Sequence, residues 1–411
     1  MRAQVDEQGR LVFPPEVAAR LGLKPGAKVH IHQEHGHLHL RWPVTRLSKV
    51  YVEPTSRCNL SCRTCIRNVW DEPLGDMSDT TFARLMEDLK VFSPTPMVLF
   101  GGFGEPLAHP HIIEMVAQAK ARGAWAELIT NGTLLAEKVA RGVIAAKLDV
   151  LWVSLDGVTA ESYADVRLGA ALPAVLANLE YFRTTRTVAH HPSPEIGIAF
   201  VAMKRNIADL PELLRLSRRL GATRFLVSNV LPHTPAMRDE VLYSRALSNG
   251  TYLPSPLLPD LRLPKMDADE MARPPLYEAV CGGWNMNFAG SHDGATNDVC
   301  PFIEGGSTAI HWDGSVSPCL PLLHSSTSYL HGMERFSRHY SVGNVNERHL
   351  SELWNAPEYV EFREKVQSFD FSPCSICDGC ILSETNEEDC YGNSFPTCGG
   401  CLWAQGVIQC P

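Results

Sequence analysis

Three cysteines, Cys58, Cys62 and Cys65, fall within the eight residues CNLSCRTC. Three thiolates can hold three irons of a [4Fe–4S] cluster, which leaves the fourth iron open to another ligand. A zinc ion with a remote fourth ligand is the alternative reading. Zinc sites usually show paired C-x2-C knuckles, however, and the first gap here is three residues. The spacing favours a cluster with one reactive corner.

Ten of the chain's 13 cysteines lie after residue 280. Eight of these, Cys300, Cys319, Cys374, Cys377, Cys380, Cys390, Cys398 and Cys401, are candidate ligands for one or two auxiliary [4Fe–4S] clusters. Their number suffices for two four-cysteine sites with Cys281 and Cys410 to spare, and spacing alone leaves the partition open. A zinc ribbon with free cysteines is the competing reading, because paired C-x2-C knuckles are a zinc signature.

A triplet of this spacing after a first strand resembles the radical S-adenosylmethionine (SAM) superfamily. The resemblance calls for a Gly-Gly-Glu-Pro type motif after the second strand, and LFGGFGEPLAHP supplies Gly101, Gly102, Gly104, Glu105 and Pro106. It also implies that polar groups ending the third and fourth strands contact SAM, which nominates Asn131 in LITNGTLL, and Ser154 and Asp156 in VSLDG. Two positions depart from the common pattern: Thr64, where an aromatic is frequent, and Phe103, where glycine is frequent. The implied chemistry is reductive cleavage of SAM to a 5′-deoxyadenosyl radical, with ferredoxin or flavodoxin as electron donor.

Cys300-x13-Gly314-x4-Cys319 and LWNAPEYVEFR before PCSICDGC resemble the SPASM iron–sulfur extension of radical SAM enzymes. The ending CDGCILSETNEEDCYGNSFPTCGGCLWAQGVIQCP, with CIRNVWDEPLGDM after the triplet, resembles SPASM-type maturases associated with tungsten-containing aldehyde oxidoreductases. This implies action on a tungsten- or molybdopterin cofactor or on its host oxidoreductase. A peptide- or protein-modifying SPASM maturase is the alternative.

Such chemistry needs a scaffold that gathers loops at one rim. Residues 46–275 alternate strands and amphipathic helices, with apolar runs ending near Val52, Phe100, Ile129, Ser154, Ala202 and Val230. Six such units imply parallel strands with helical crossovers, whose ligands collect at the strands' C-terminal ends. With the resemblance, the expected class is α/β: a partial (β/α)6 TIM-like barrel as the radical SAM core. SDTTFARLMEDLK predicts a helix capped by Ser78 or Asp79, with Phe82, Leu85, Met86 and Leu89 on one face. Asn206 is expected to start a second helix that closes at Gly221. LSELWNAPEYVEFREKVQSF reads as one helix within the loop-rich iron–sulfur region, 276–411. No spacing singles out an acid or base among Asp165, Arg167, Lys204, Asn229 and His233.

Residues 1–45 form a third region: strand, turn at Gly9, strand, short helix at Pro14-Pro15, turn at Pro25-Gly26, strand. Gly9-Arg10, Pro14, Leu21 and Lys24-Pro25-Gly26 resemble an AbrB-like swapped-hairpin domain, so a homodimer through this segment is expected. A DNA-binding redox regulator is the alternative from another class. Six basic residues against four acidic ones over 1–45, a net +2, make a thin phosphate-binding footprint. The cluster His30, His32, His35, His37 and His39 reads as polar hairpin faces, with metal or oxyanion binding as the sharper alternative. Net charge of −9 over 411 residues, with 45% hydrophobic and 20% charged residues, suits a soluble globular protein. The N-terminus lacks a signal-peptide core and no run of eighteen apolar residues occurs, so a cytoplasmic protein without membrane contact is expected.

Overall fold

The computed structural model describes residues 3–20, 22–23, 26, 29, 31–34, 37–188, 193–243, 260–267, 269–281, 285–288, 299–330, 333–372, 374 and 380–411. The strands of its main sheet are numbered here in chain order. They are β1 Lys49–Val52, β2 Met97–Phe100, β3 Ala126–Thr130, β4 Val150–Ser154, β5 Glu195–Ala202, β6 Ala222–Asn229, β7 Asp260–Leu263, β8 Asn285–Phe288, β9 Ser307–Ile310, β10 Ser315–Ser317 and β11 Gly343–Asn344. Their spatial order is β8-β7-β6-β5-β4-β3-β2-β1-β9-β10-β11. Pairing is parallel from β8 through β9, and only β10 and β11 join antiparallel. The six core strands end within a residue of where the apolar runs stop. The barrel stays open, because the free edge of β1 pairs with β9 and the sheet continues across the 275/276 boundary.

Strand alternation divides the core into two sides. Val50, Val52, Val98, Phe100, Ala126 and Leu128 pack among helices in one large cluster. Tyr51 and Leu99, between them in sequence, join a second cluster with Cys300, Cys319 and Phe302, against which Ile129 packs. That inner side faces the cavity described below.

The helix Asp79–Asp88 forms as its spacing requires: Ser78 Oγ accepts from Thr81 N at 3.0 Å, and Phe82, Leu85 and Met86 are buried. The second expected cap is different. Asn206 makes no side-chain cap; its Oδ1 accepts from Met203 N, and its Nδ2 donates to Asp156 O and Val201 O, knitting strand ends together. The helix itself spans Leu210–Arg219 and is followed by Gly221 at φ +78°.

LSELWNAPEYVEFREKVQSF breaks into Leu350–Trp354 and Pro357–Ser368, because the proline at the second helix's first position starts a new helix rather than continuing the old one. The second helix carries Arg363, fully buried between the rings of Trp354 and Tyr359 at 3.7 and 4.1 Å. Its guanidinium donates to Val44 O and Trp354 O, clamping the C-terminal region onto the chain entering β1.

At the N-terminus the hairpin Gln4–Val5/Leu11–Val12 turns at Gly9 (φ +75°), the helix is Pro15–Arg20, and Ile31–Glu34 pairs antiparallel with His37–Leu40. The reading of the histidine cluster rests on side chains outside the described set.

Phe82→Ala should cost about 3–5 kcal/mol as a core truncation, against about 1 kcal/mol for Ser78→Ala, a lost cap. Anaerobic denaturant unfolding followed by far-UV circular dichroism checks the ordering.

Candidate active site

Beyond β1 the chain loops through the triplet before the short turn Ile66–Asn68, which Cys65 precedes. The loop is pinned to residues 165–168: Arg63 N donates to Val166 O at 2.9 Å and Ser61 N to Leu168 O at 3.2 Å. Donors face the sulfurs. Leu60 N lies 3.4 Å from Cys58 Sγ, Asn131 Nδ2 lies 3.9 Å from the same atom, and Arg167 lies 3.8 Å from Cys62 Sγ. Burial pushes the Cys62 thiol up, and the Arg167 charge pulls it back toward the thiolate. Burial likewise raises Cys65.

The donor set fits a cluster. A single zinc ion with Zn–S of about 2.3 Å would draw thiolates to about 3.8 Å from one another. Among the described residues, the group of metal-ligating side chains whose donor atoms all lie within 4.8 Å is Glu53, His311 and His324, and no three thiols are that close. Cys58, Cys62 and Cys65 would therefore hold three irons, with N–H groups already directed at two of the sulfurs.

The glycine-rich loop after β2 lies against this triplet. Gly104 approaches the backbone so closely that a Cβ would fall 2.0 Å from Thr55 O, and Gly102 combines φ +109° with a Glu53 side chain 2.7 Å from any Cβ. Both positions require glycine. Glu105 is buried and accepts three hydrogen bonds, from Thr130 Oγ1 at 2.6 Å, Asn131 N at 2.7 Å and Leu107 N at 3.0 Å. Burial raises its carboxyl, and these donors oppose the rise. Glu105 thereby fastens the loop after β2 to the loop after β3.

Gly102, Gly104, Glu105, Asn131 and Ser154 line one cavity of about 300 Å³ together with all three cysteines. Gly101 and Asp156 are not in its wall. Gly101 packs against Ile129 and Leu99. Asp156 is fully buried; its carboxylate binds Arg167 at 2.6 Å and Val201 N at 2.8 Å. Arg167 does line the cavity, so the Asp156 charge acts through the arginine that faces Cys62. The far wall comes from β5, β6 and the end of the chain: Ala199, Leu226, Ser228, Asn229, Trp403 and Gln409.

Two family models match this chain, the radical SAM superfamily over residues 52–227 and the SPASM iron–sulfur cluster-binding domain over residues 300–381. The tungsten-containing aldehyde ferredoxin oxidoreductase cofactor-modifying protein of Pyrococcus furiosus is 33% identical over 368 residues, covering 88% of this chain and 96% of that one. The chain belongs to the radical SAM superfamily. The Fe-coproporphyrin III synthase of Methanosarcina barkeri is 26% identical over 327 residues, covering 73% of this chain and 71% of that protein. The crystal structure of Streptococcus suis SuiB bound to S-adenosylmethionine shares the fold, with a TM-score of 0.54 at 16% identity over 84% of this chain and 72% of that one.

This radical SAM enzyme works with a [4Fe–4S] cluster, SAM and SPASM-type auxiliary iron–sulfur clusters. When bound, cluster and SAM together supply one-electron cleavage of a carbon–sulfur bond to a 5′-deoxyadenosyl radical. The chain holds the three thiols, orients the glycine-rich loop and walls off water with Tyr51, Leu99, Ile129 and Leu226.

A second, smaller cavity of about 70 Å³ brings four of the C-terminal cysteines together. Cys300, Cys319, Cys398 and Cys401 line it together with Arg335. Backbone amides of Phe302 and Ile303 face Cys300, that of Leu322 faces Cys319, and those of Trp403 and Ala404 face Cys401. Burial pushes the Cys300 thiol up to about 12 and raises Cys319 and Cys398 well above the ordinary thiol value. Two buried thiols, Cys300 and Cys319, and two partly buried ones, Cys398 and Cys401, with backbone N–H donors at three of the four, suit a fully ligated cluster. Cys374 and Cys380 are partly buried, Cys390 is exposed, and none of the three lines this cavity. Cys377 lies outside the described residues.

Several functional positions escaped sequence reasoning. Trp403 and Gln409 sit in the loop-rich tail, where no periodicity marks an inward face. Cys410, counted as spare, lines the active cavity with its Sγ 3.2 Å from Trp403 Nε1. Of the five residues left without a role, Arg167 and Asn229 line the cavity, whereas Asp165 pairs with Arg63 and Arg205 at the surface.

Cys62→Ala should remove about four irons per chain and abolish 5′-deoxyadenosine formation while the C-terminal site keeps its iron. Iron assay and electron paramagnetic resonance read both. Arg167→Met removes a cation beside Cys62, so the cluster's potential should move negative by tens of millivolts, about 59 mV per tenfold in a one-electron equilibrium. Redox titration measures it, and slow turnover with a weak donor should recover with a stronger reductant.

Proposed function

We propose that this radical SAM enzyme acts in the maturation of a tungsten- or molybdopterin-dependent aldehyde oxidoreductase, on the pterin cofactor or on its host protein. The observation that carries this reading is the likeness to the Pyrococcus furiosus cofactor-modifying protein, which runs over 88% of this chain and 96% of that relative's length. The cavity supports a small heteroaromatic substrate. The cavity of about 300 Å³, which SAM also enters, is at the lower end of small-molecule sites, so a small ligand or one protruding group enters and a folded partner stays outside. Asn229 Nδ2 donates to Lys265 O and Val407 O, which fixes the amide's orientation and leaves its buried Oδ1 without a partner. Gln409 Nε2, in the same wall, is also buried and unpartnered. An acceptor and a donor left unpaired on residues of the same wall suit a heteroaromatic ring that carries donors and acceptors better than a peptide's apolar side chain.

The saturated site at Cys300, Cys319, Cys398 and Cys401 acts in electron transfer rather than substrate ligation. Trp403 and Leu231 line both cavities, so the two sites share a wall. Ferredoxin or flavodoxin is the proposed external donor. Homodimerisation through residues 1–45 is supported by the exposed Val5, Leu11, Val12, Ile31 and Leu40 on the two N-terminal hairpins. Cysteine usage suits a reducing cytoplasm, and no helix among the described residues is long and apolar enough to cross a membrane.

The test is anaerobic reconstitution with iron, sulfide, SAM and reductant, followed by addition of immature oxidoreductase from cells lacking this enzyme, free pterin cofactor, or short peptides. The oxidoreductase or its cofactor should stimulate 5′-deoxyadenosine release, and Asn229→Ala should weaken that stimulation about tenfold, as expected for one lost buried hydrogen bond of about 1.4 kcal/mol. Stimulation by peptides alone would replace this reading with peptide modification.

A further inference from the structure

Glu53 is the first residue after β1, and His311 is the first after β9. The two strands pair in parallel with Val52 opposite Ile310, and Glu53 N donates to Ile310 O at 2.9 Å, so these residues leave the sheet side by side. His324 reaches the same point from the chain after the turn Leu320–Leu322. Its Nε2 lies 3.0 Å from Glu53 Oε2, and His311 Nε2 lies 3.8 Å from that same oxygen. One donor atom from each residue falls within 4.8 Å of the other two.

We propose that Glu53, His311 and His324 form a binding site for a divalent first-row transition ion, zinc or ferrous iron, at the junction between the radical SAM core and the C-terminal iron–sulfur region.

The donor set is the first argument. Two imidazole nitrogens and one carboxylate make a site with open positions that suits either ion. Around a tetrahedral ion with metal–ligand distances of about 2.1 Å, neighbouring donors stand about 3.4 Å apart. The separations of 3.0 and 3.8 Å bracket that spacing. A hydrogen-bond network accounts for His311 Nδ1, which Asp313 holds, and leaves Nε2 at 3.8 Å from the shared oxygen, beyond hydrogen-bond range.

The surroundings are the second argument. Each imidazole holds its other nitrogen against a separate carboxylate, His311 Nδ1 to Asp313 Oδ1 at 2.8 Å and His324 Nδ1 to Glu72 Oε2 at 2.6 Å. Metal-binding histidines are typically oriented this way, with Nε2 left to coordinate. Glu72 is itself held by Ser325 N at 2.8 Å. Glu53 is 0% and His324 1% exposed, with Trp70 over the His324 ring at 4.0 Å and Phe103 at 5.4 Å. Three carboxylates facing two imidazoles, with Glu53 fully buried and Glu72 and Asp313 partly exposed, leave negative charge that a dication offsets.

The position gives the ion a task. Glu53 Oε1 accepts from Phe103 N at 3.0 Å, inside the glycine-rich loop of the active cavity. An ion on Oε2 would lock this carboxylate, and through it the loop, to the strand that carries the C-terminal region. The three residues are positioning residues for the SAM site, and the inference does not depend on which substrate the enzyme takes.

Full-length protein with its clusters intact is dialysed anaerobically and titrated with Zn2+, or with Fe2+ in a parallel arm. Crystals soaked in Zn2+ are measured on both sides of the zinc absorption edge, which separates zinc from cluster iron, and added Fe2+ is read by Mössbauer spectroscopy. The expected result is one equivalent of either ion, with zinc about 2.0–2.2 Å from Glu53, His311 and His324, and at least tenfold weaker binding in His311→Ala. Asp313→Asn should weaken it about tenfold, as orienting carboxylates do. His311 is partly exposed, so its variant carries the test should the buried His324→Gln fail to fold. Absence of both ions from this point in the intact enzyme, or unchanged binding in His311→Ala, overturns the proposal.

Discussion

Parallel pairing of β9 with β1 is the constraint on which the rest of this molecule depends. β1 ends where the triplet loop begins, so whatever pairs with its outer edge is held against the active site. In a closed barrel that edge would meet the last strand of the core. Here it receives Ser307–Ile310, with Tyr51 opposite Ala309 and Val52 opposite Ile310. The C-terminal iron–sulfur region is thus an extension of the catalytic sheet. Arg363, stacked between two aromatic rings and bonded to Val44 O, fastens the same region from the helical side.

From that pairing follows the arrangement of the sulfur sites. The segments flanking β9 carry Cys300 and Cys319, and the return of the chain after Asn386 brings Cys398 and Cys401 to them. The chain then runs inward: Gln409 N donates to Ser228 Oγ, and Lys49 Nζ and Tyr51 hydroxyl donate to Pro411 O. A segment more than a hundred residues beyond the core strands therefore completes the cavity wall. One loop brings three thiols to the first cavity, and three segments bring four to the second.

Much of this was legible in the chain. Strand ends at Val52, Phe100, Ser154 and Ala202 are where apolar runs stop, since buried parallel strands must be apolar on both faces. The triplet and the glycine-rich turn were legible because each is local: Gly104 tolerates no Cβ beside Thr55 O, and the three thiols of the triplet sit within eight residues of one loop. Long-range partners were not. Asp156 looks like a strand-end ligand contact, but a fully buried carboxylate needs a counter-charge, and Arg167 eleven residues later provides it. The break at Pro357 was readable from proline's missing N–H, yet the apolar spacing across it is continuous enough to suggest one helix. Glu53, His311 and His324 span 271 residues, and no spacing rule reaches that far.

The electrostatics of the triplet show why such tertiary partners matter. Deep burial by itself raises a thiol, which opposes metal binding, because the ligand is the thiolate. At Cys62 the opposing force is Arg167, and Arg167 stays in place because Asp156 neutralises much of its burial cost at 2.6 Å. Asp156 in turn is held by Val201 N at the end of β5. A cation bonded to a buried carboxylate still presents donors to the sulfur, whereas a free cation in this wall would either swing toward water or attract an anion into the cavity. The pair therefore favours the thiolate without placing a mobile net charge in the cavity wall beside the triplet.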